Sequence, residues 1–350
     1  MRSDQWHLHY LNIHTAHKFT QGDGVTVAVP DTGVSPHPDI LKNIFPGIDI
    51  IPGGSGNGQR DKDSHGTSMA GLIAAHGQDD GTGALGIAPQ AKILPIYDIP
   101  AGGSGHPETL AQSIEYAIAQ GADIISISSI GSTSPRLIRA VQTALASNVI
   151  VVAAAGNRPV DTRVGYPASE EGVIAVGGVD HLGMRAAVSV TGPEIDVVAP
   201  AVDIYSTSTY GKYRKSTGTS NSTAIVAGAV ALIRSKYPDL AASEVAHRLT
   251  ATAIDKGPPG RDDEYGYGVI DLVAALTADV PPLGFGSATA GAPASTASIT
   301  AAADPADGGD GAATARGLVT LGVIVAAGGT WALVSRRRRH SGDPPPRISR

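Results

Sequence analysis

Between Val25 and Ile254 the chain alternates short β-branched apolar runs with longer segments whose apolar positions recur at helical spacing. The runs Val25–Val29, Lys92–Tyr97, Asp123–Ile127, Val149–Ala154 and Val173–Val176 hold few polar positions. A strand with one wet face alternates, so these runs predict strands buried on both faces. The segments of helical period predict helices at Thr67–His76, Pro107–Gln120, Ser134–Ser147, Thr219–Tyr237 and Ala242–Ala253. Pro107 stands just before Glu108, where a helix start tolerates proline and favours negative charge. Strands that alternate with helices predict an α/β fold, a mostly parallel sheet with helices on both faces.

After Leu276 the pattern stops. Residues 278–315 are mostly Ala, Gly, Pro, Ser, Thr and Asp, with too little apolar bulk to repay the entropy of ordering them. Residues 317–334 are then 18 uncharged residues, which as a helix span about 27 Å, just enough for a bilayer. Arg336-Arg337-Arg338-Arg339 follow at once, whereas the other flank has Arg316 and several Asp. The positive-inside rule puts that end in the cytoplasm and the folded domain outside. A buried core helix or an aggregating tail is the plainer reading, but a core helix is not isolated behind a linker and closed by four arginines. The expected organisation is a folded domain over 1–277, a flexible linker over 278–315, a transmembrane helix over 316–335 and a basic tail over 336–350. If flexible, the 38-residue linker reaches about 34 Å, which keeps the domain close to the lipid bilayer.

Composition narrows the chemistry. Hydrophobic residues make up 42% and aromatics only 4%, with 44 Gly, so the core is to be built from Ala, Val, Ile and Leu around close backbone approaches. The net charge of −6, with no basic run before Arg336, leaves nucleic acid without support as a partner. With no Cys there are no disulfides, thiolate metal sites or cysteine nucleophile. The first residues, Met1-Arg2-Ser3-Asp4-Gln5-Trp6-His7-Leu8, lack the apolar run of a signal peptide. The arginines demand an exported domain and the N-terminus offers no export signal; the expectation drawn is a leader missing from this sequence rather than a reversed topology.

Four residues carry complementary chemistry. Asp31 ends the first strand in Val27-Ala28-Val29-Pro30-Asp31-Thr32-Gly33-Val34, at the sheet edge where α/β sites form. His65, in Asp63-Ser64-His65-Gly66-Thr67, opens a helix of small residues that presents its ring at the first turn. Ser220, in Gly218-Thr219-Ser220-Asn221-Ser222, begins a long helix whose dipole and free N–H groups favour an oxyanion. Asn157, in Ala154-Ala155-Gly156-Asn157, ends another buried strand and is placed to donate a second oxyanion hydrogen bond. Singly, each has a plainer reading: Asp31 and Asn157 as turn residues beside glycine, Ser220 as a helix cap. Together they supply the carboxylate, base, nucleophile and oxyanion donor of a serine hydrolase. His7, His9, His14 and His17 have no acidic or Cys partners at ligand spacing, and no metal site is expected of them.

The strings Val-Ala-Val-x-Asp-Thr-Gly-Val, His-Gly-Thr, Ala-Ala-Gly-Asn and Gly-Thr-Ser, in that order, resemble the Asp, His, Asn and Ser boxes of the subtilases, over roughly residues 6–276. The resemblance implies the subtilisin-like fold and serine endopeptidase activity. It implies Asp31, His65 and Ser220 as triad, Asn157 as oxyanion donor, and Ser128-Ser129-Ile130-Gly131 as the substrate-binding strand. Linker, apolar segment and basic tail more narrowly resemble the mycosins, membrane-anchored subtilases of type VII secretion systems. They imply exported polypeptide substrates, partners among the membrane components of a secretion system, and a single-pass protein with its catalytic domain outside the cell membrane. The alternative is a scaffold component in which proteolysis is secondary. No cofactor is expected; subtilases often carry structural calcium, but no compact Asp-rich loop assigns its ligands.

Three departures matter. Gly66-Thr67-Ser68-Met69-Ala70 reproduces the family's serine box better than residues 218–222 do, yet Ser68 lies three residues after His65, so Ser220 is the expected nucleophile. Ala224-Ile225 stand where the family usually has proline and an aromatic ring, a change in packing rather than chemistry. Ile130 stands where the family often has glycine and predicts a narrowed pocket for P1, the residue before the scissile bond. Gly81-x-Gly83-x-x-Gly86 matches a dinucleotide fingerprint but follows a helix and leads into a strand, the reverse of what pyrophosphate needs.

Overall fold

The computed structural model describes residues 1–51, 56–78 and 81–284. The expected transmembrane helix, basic tail and most of the linker lie outside the described residues. Among the described residues no helix is long and apolar enough to cross a membrane.

Seven strands form one parallel sheet: β1 (Thr26–Asp31), β2 (Ile48–Asp49), β3 (Lys92–Tyr97), β4 (Ile124–Ile127), β5 (Ile150–Ala154), β6 (Ile174–Val179) and β7 (Val197–Pro200), in the order β2-β3-β1-β4-β5-β6-β7. The predicted strands reappear within a few residues of their expected ends. β2 was missed because it is two residues long, and β7 because Val197-Val198-Ala199-Pro200 is too short a run to stand out. An antiparallel hairpin, β8 (Ile204–Thr207) and β9 (Tyr213–Ser216), was missed because β9 reads Tyr-Arg-Lys-Ser, with no apolar pattern.

The sheet is buried on both sides, and period-two alternation sorts its side chains into two cores. Val27, Val29, Ile93, Ile124, Val152 and Val176 point into one core; Ala28, Leu94, Ile125, Val151, Ala153 and Ala175 point into the other. The first core is covered by α3 (His65–Ala74) and α6 (Thr219–Lys236), joined by α1 (Trp6–Tyr10), α2 (Ile13–Ala16), α7 (Ala242–Ala251) and α8 (Leu272–Thr277). The second is covered by α4 (Pro107–Ala119) and α5 (Pro135–Ala146). α1, α2 and α8 escaped the sequence reading because they are four to six residues long and show under two turns of periodicity. α6 is buried at every position from Asn221 to Arg234, as its all-round run of small apolar residues requires. Ala224 and Ile225 are fully buried within this unbroken helix.

β1 lies between β3 and β4, so the chain winds in opposite directions from it, and the switch point opens at the end that carries Asp31. β4 and β5 follow β1 in the sheet, so Ser128 and Asn157 leave the same edge. Close backbone approach joins this edge to α3. A Cβ on Gly66 would come within 2.1 Å of the Gly33 carbonyl oxygen, and one on Gly33, at φ +83°, within 1.9 Å of the Arg60 carbonyl oxygen.

Behind this edge, on the α4 side, Asp98 is 2% exposed. It accepts a hydrogen bond from Ser113 Oγ at 2.8 Å on Oδ2, while its Oδ1 has no partner. Burial, which the Ser113 hydrogen bond only partly offsets, pushes its carboxyl up to about 8. In the unfolded chain the same group loses its proton near 3.8, so between these values the folded state holds one more proton and stability falls as pH rises. Asp98→Asn removes that penalty. Its melting temperature is expected to gain on wild type as pH rises from about 4 to about 8 and then level off, as thermal unfolding across that range would show.

Candidate active site

The site is built by two loops that converge on one carboxylate. Asp61, 6% exposed, receives Thr32 Oγ1 at 3.0 Å, Asp63 N–H at 2.8 Å and Ser64 N–H at 2.9 Å on Oδ1. Its Oδ2 receives Thr67 N–H at 3.0 Å and Thr67 Oγ1 at 2.7 Å. Thr32 Oγ1 in turn accepts from Gly66 N–H at 2.9 Å. The free N–H groups at the start of α3 are thereby satisfied by the loop after β1 and by Asp61, which fixes His65 against Asp31. Sequence reasoning missed Asp61; the signal was an Asp followed two and three residues on by Asp63 and Ser64, the spacing of an Asx turn.

His65 Nδ1 lies 2.8 Å from Asp31 Oδ1 and 2.9 Å from Oδ2. Asp31 is 1% exposed and also accepts the Thr32 N–H at 2.7 Å, whereas the His65 side chain is 31% exposed. A buried carboxylate behind a half-exposed ring places the imidazole proton on Nδ1 and leaves Nε2 as a base toward solvent. Burial lowers the His65 pKa, the charge and hydrogen bond of Asp31 raise it, Arg214 lowers it and Asp63 raises it, and the balance lies above the ordinary 6.5.

Ser220 is the second residue of α6 and half-buried. Its hydroxyl donates to the Ser128 carbonyl at 3.1 Å and makes no hydrogen bond to His65 among the described residues. Asn157 Oδ1 accepts from Thr219 N–H at 2.9 Å and from Thr219 Oγ1 at 3.3 Å. Held by its oxygen, the Asn157 amide has no hydrogen bond from Nδ2 among the described residues and lies beside the start of α6, where the Ser220 N–H has no intrahelical partner. Asp161, also missed by the sequence reading, grips the same loop by accepting Asn157 N–H at 2.6 Å. Ser68 is fully buried in α3, with no route to a peptide.

Ser128, Ser129 and Ile130 leave β4 half-buried, and Gly131, exposed, donates its N–H to the Tyr166 carbonyl at 3.3 Å. Ile130 packs into the gap between Gly165 and Gly156: a Cβ on Gly165 would lie 2.9 Å from Ile130 Cβ, and one on Gly156 3.1 Å from Ile130 Cδ1.

Among the described residues no three His or acidic side chains are grouped to hold a metal. His7 is fully buried with neither ring nitrogen partnered, and burial lowers its pKa to about 3, a neutral core histidine. For structural calcium one enclosed carboxylate outside the site is Asp39, beside the glycine loop that resembled a nucleotide fingerprint. Donors surround it: Ala84 N–H at 2.6 Å, Tyr213 OH at 2.9 Å and Gln78 Nε2 at 3.2 Å. Hydrogen-bond donors repel a cation, so this cradle does not fit calcium.

A doubly wound parallel sheet that gathers carboxylate-bound imidazole, helix-borne hydroxyl and free amide at one edge is the equipment of a serine hydrolase. The chain belongs to the subtilase family, whose profile matches residues 22–268, and it is a subtilisin-type serine endopeptidase. Subtilisin DY of Bacillus licheniformis is 41% identical over 259 residues, which cover 73% of this chain and 92% of that protein. Among solved structures, MycP1 from Mycobacterium smegmatis is similar with a TM-score of 0.70 and 30% identity, over 79% of this chain and 85% of that one. MycP3 protease from the type VII (ESX-3) secretion system is similar with a TM-score of 0.68 and 33% identity, over 78% and 88%.

With His65 as the base that the sequence leads one to expect, its raised pKa moves the acid limb of kcat/KM above pH 6.5, because a base must be neutral to accept a proton. Asp31→Asn removes both raising contributions of that carboxylate. The limb is then expected to fall below the wild-type value, with kcat down by about 10⁴, in a pH profile on a chromogenic peptide.

Proposed function

We propose that the chain is a membrane-anchored endopeptidase that cleaves exported polypeptides with Asp31, His65 and Ser220 as its triad and serves a type VII secretion system. The observation that carries the triad is the 2.8 Å pair of His65 and Asp31 at the sheet edge shared with Ser128 and Asn157. On substrate binding the Ser220 hydroxyl turns from the Ser128 carbonyl to His65 Nε2, gives up its proton there and attacks the scissile carbonyl. The oxyanion takes hydrogen bonds from Asn157 Nδ2 and the Ser220 N–H, while Asp31 steadies the imidazolium. His65 then protonates the leaving amine, and water attacks the acyl-enzyme through the same base. The substrate backbone runs along Ser128–Gly131, adding a strand to a free edge.

The membrane reading rests on the uncharged run 317–334 and Arg336–Arg339, and the secretion reading on the likeness to MycP1 and MycP3. A tethered enzyme meets substrates as they leave the membrane.

Fluorophosphonate labelling tests the triad. Wild type and Ser68→Ala are expected to label; Ser220→Ala and His65→Ala are not. Folded wild type that fails to label would instead favour a scaffold. Applied to intact cells, an impermeant probe is expected to label the enzyme, which reports the orientation.

Ile130 in the gap between Gly156 and Gly165 leaves room for a small P1 side chain only. Ile130→Gly is expected to raise kcat/KM for P1 Phe relative to P1 Ala by about tenfold or more, read from paired peptides. A wild-type profile led by large aromatics at P1 would sink this reading.

A further inference from the structure

The β8–β9 hairpin leans on α3, the helix that opens with His65. β8 is fastened to the helix of His65 by Ser206 Oγ, which donates to the Ser68 carbonyl at 2.7 Å, and by Thr207 Oγ1, which donates to the Thr67 carbonyl at 2.7 Å. β9 runs from Tyr213 to Ser216 and reaches Ser220 four residues later. Arg214 is paired with Ser206, whose hydroxyl holds α3, and paired residues project on one face of the hairpin. It is half-buried, whereas its neighbours Tyr213 and Lys215 are exposed.

The other charges nearby are already engaged. Lys215 pairs with Asp203 at 3.3 Å, Asp63 accepts the Gly102 N–H at 3.2 Å, and Asp31 holds His65. Arg214 has no hydrogen bond or ion pair among the described residues, yet its charge is felt at His65. A guanidinium that is half-buried and unpaired gives up hydration without a protein partner, an arrangement that a substrate carboxylate repairs with a bidentate contact.

Chemistry fixes which side of the scissile bond this is. His65 hands its proton to the leaving amine, so the leaving peptide lies on the His65 side, and the Ser128–Gly131 strand with Ile130 holds the acyl side. We infer that Arg214 forms a subsite for acidic side chains on the leaving-group side, so that the best substrates carry Asp or Glu at the first or second residue after the cleaved bond. This rests on the triad proposed above.

The test is kcat/KM for matched peptides with Ala at P1 and Asp, Ala or Lys at the first or second residue after the bond. They are assayed at low and high salt with wild type, Arg214→Ala, Arg214→Lys and Arg214→Glu. Wild type is expected to favour Asp over Lys at one of the two positions by about tenfold at low salt, with the ratio shrinking as salt is added. Arg214→Lys keeps the preference, Arg214→Ala flattens it to within about twofold, and Arg214→Glu inverts it. A wild-type ratio near one, or a ratio that survives Arg214→Ala, overturns the inference. Fluorophosphonate labelling of the same preparations separates the two claims. Enzyme that labels but shows no preference overturns the Arg214 subsite and leaves the triad standing, and folded enzyme that neither labels nor cleaves overturns both.

Discussion

The site depends on the Asp61 carboxylate, which makes five hydrogen bonds and none of them to a substrate-facing group. Through Thr32 it holds the loop after β1, and through Ser64 and Thr67 it holds the start of α3. Strand and helix are thus locked by contacts separate from the one between Asp31 and His65. Each of these hydrogen bonds replaces hydration that the carboxylate loses on burial. The glycines complete the lock. Gly66 and Gly33 let backbone pass backbone at distances no side chain permits, so the orientation of the imidazole is set by main chain. Losing an orienting contact of this kind costs rate even where no reacting atom is touched.

The sheet and most of its helices were legible because their cause is local: fully buried strands must be apolar throughout, and the helices between them carry a 3.6-residue period. Four candidate site residues stood out in the sequence for a related reason, since strand ends and helix starts are where a run of apolar positions stops. What was not legible arises from contacts distant in sequence. Nothing near Asp61 says that Thr32 lies against it. Nothing near Arg214 says that β9 pairs with β8 so as to face His65, and β9 itself lacks a strand pattern because its side chains face solvent and a cleft instead of a core. Ile130 was legible as a departure, but the Gly156–Gly165 gap it fills became visible only in three dimensions.

His65 stands between opposed influences. Burial and Arg214 lower its affinity for a proton, and Asp31 and Asp63 raise it. An imidazole whose proton affinity is set by opposed contributions is sensitive to what the substrate brings. A carboxylate that pairs with Arg214 removes one of the lowering contributions and leaves Asp31 less opposed, so the imidazolium formed in the transition state becomes easier to form. Binding at that position then acts on kcat as well as on KM, the use of binding energy that speeds the chemical step.

On the readings proposed above, the two sides of the scissile bond are selected by different physics, and this bears on what the enzyme can safely do. On the acyl side Ile130 excludes bulk, which discriminates strongly against large residues but poorly among small ones. On the leaving side Arg214 offers a charge whose effect is long-ranged and salt-dependent, and it steers as well as binds. Small residues are common in extended polypeptides, so the steric wall alone would admit many sites. An acidic residue preferred one or two positions further on thins them. On the membrane-anchored reading proposed above, the protease meets exported chains at high local concentration, where weak discrimination would mean indiscriminate digestion. Steric and electrostatic filters on opposite sides of one bond multiply, because they act on different residues of the substrate and share no partner.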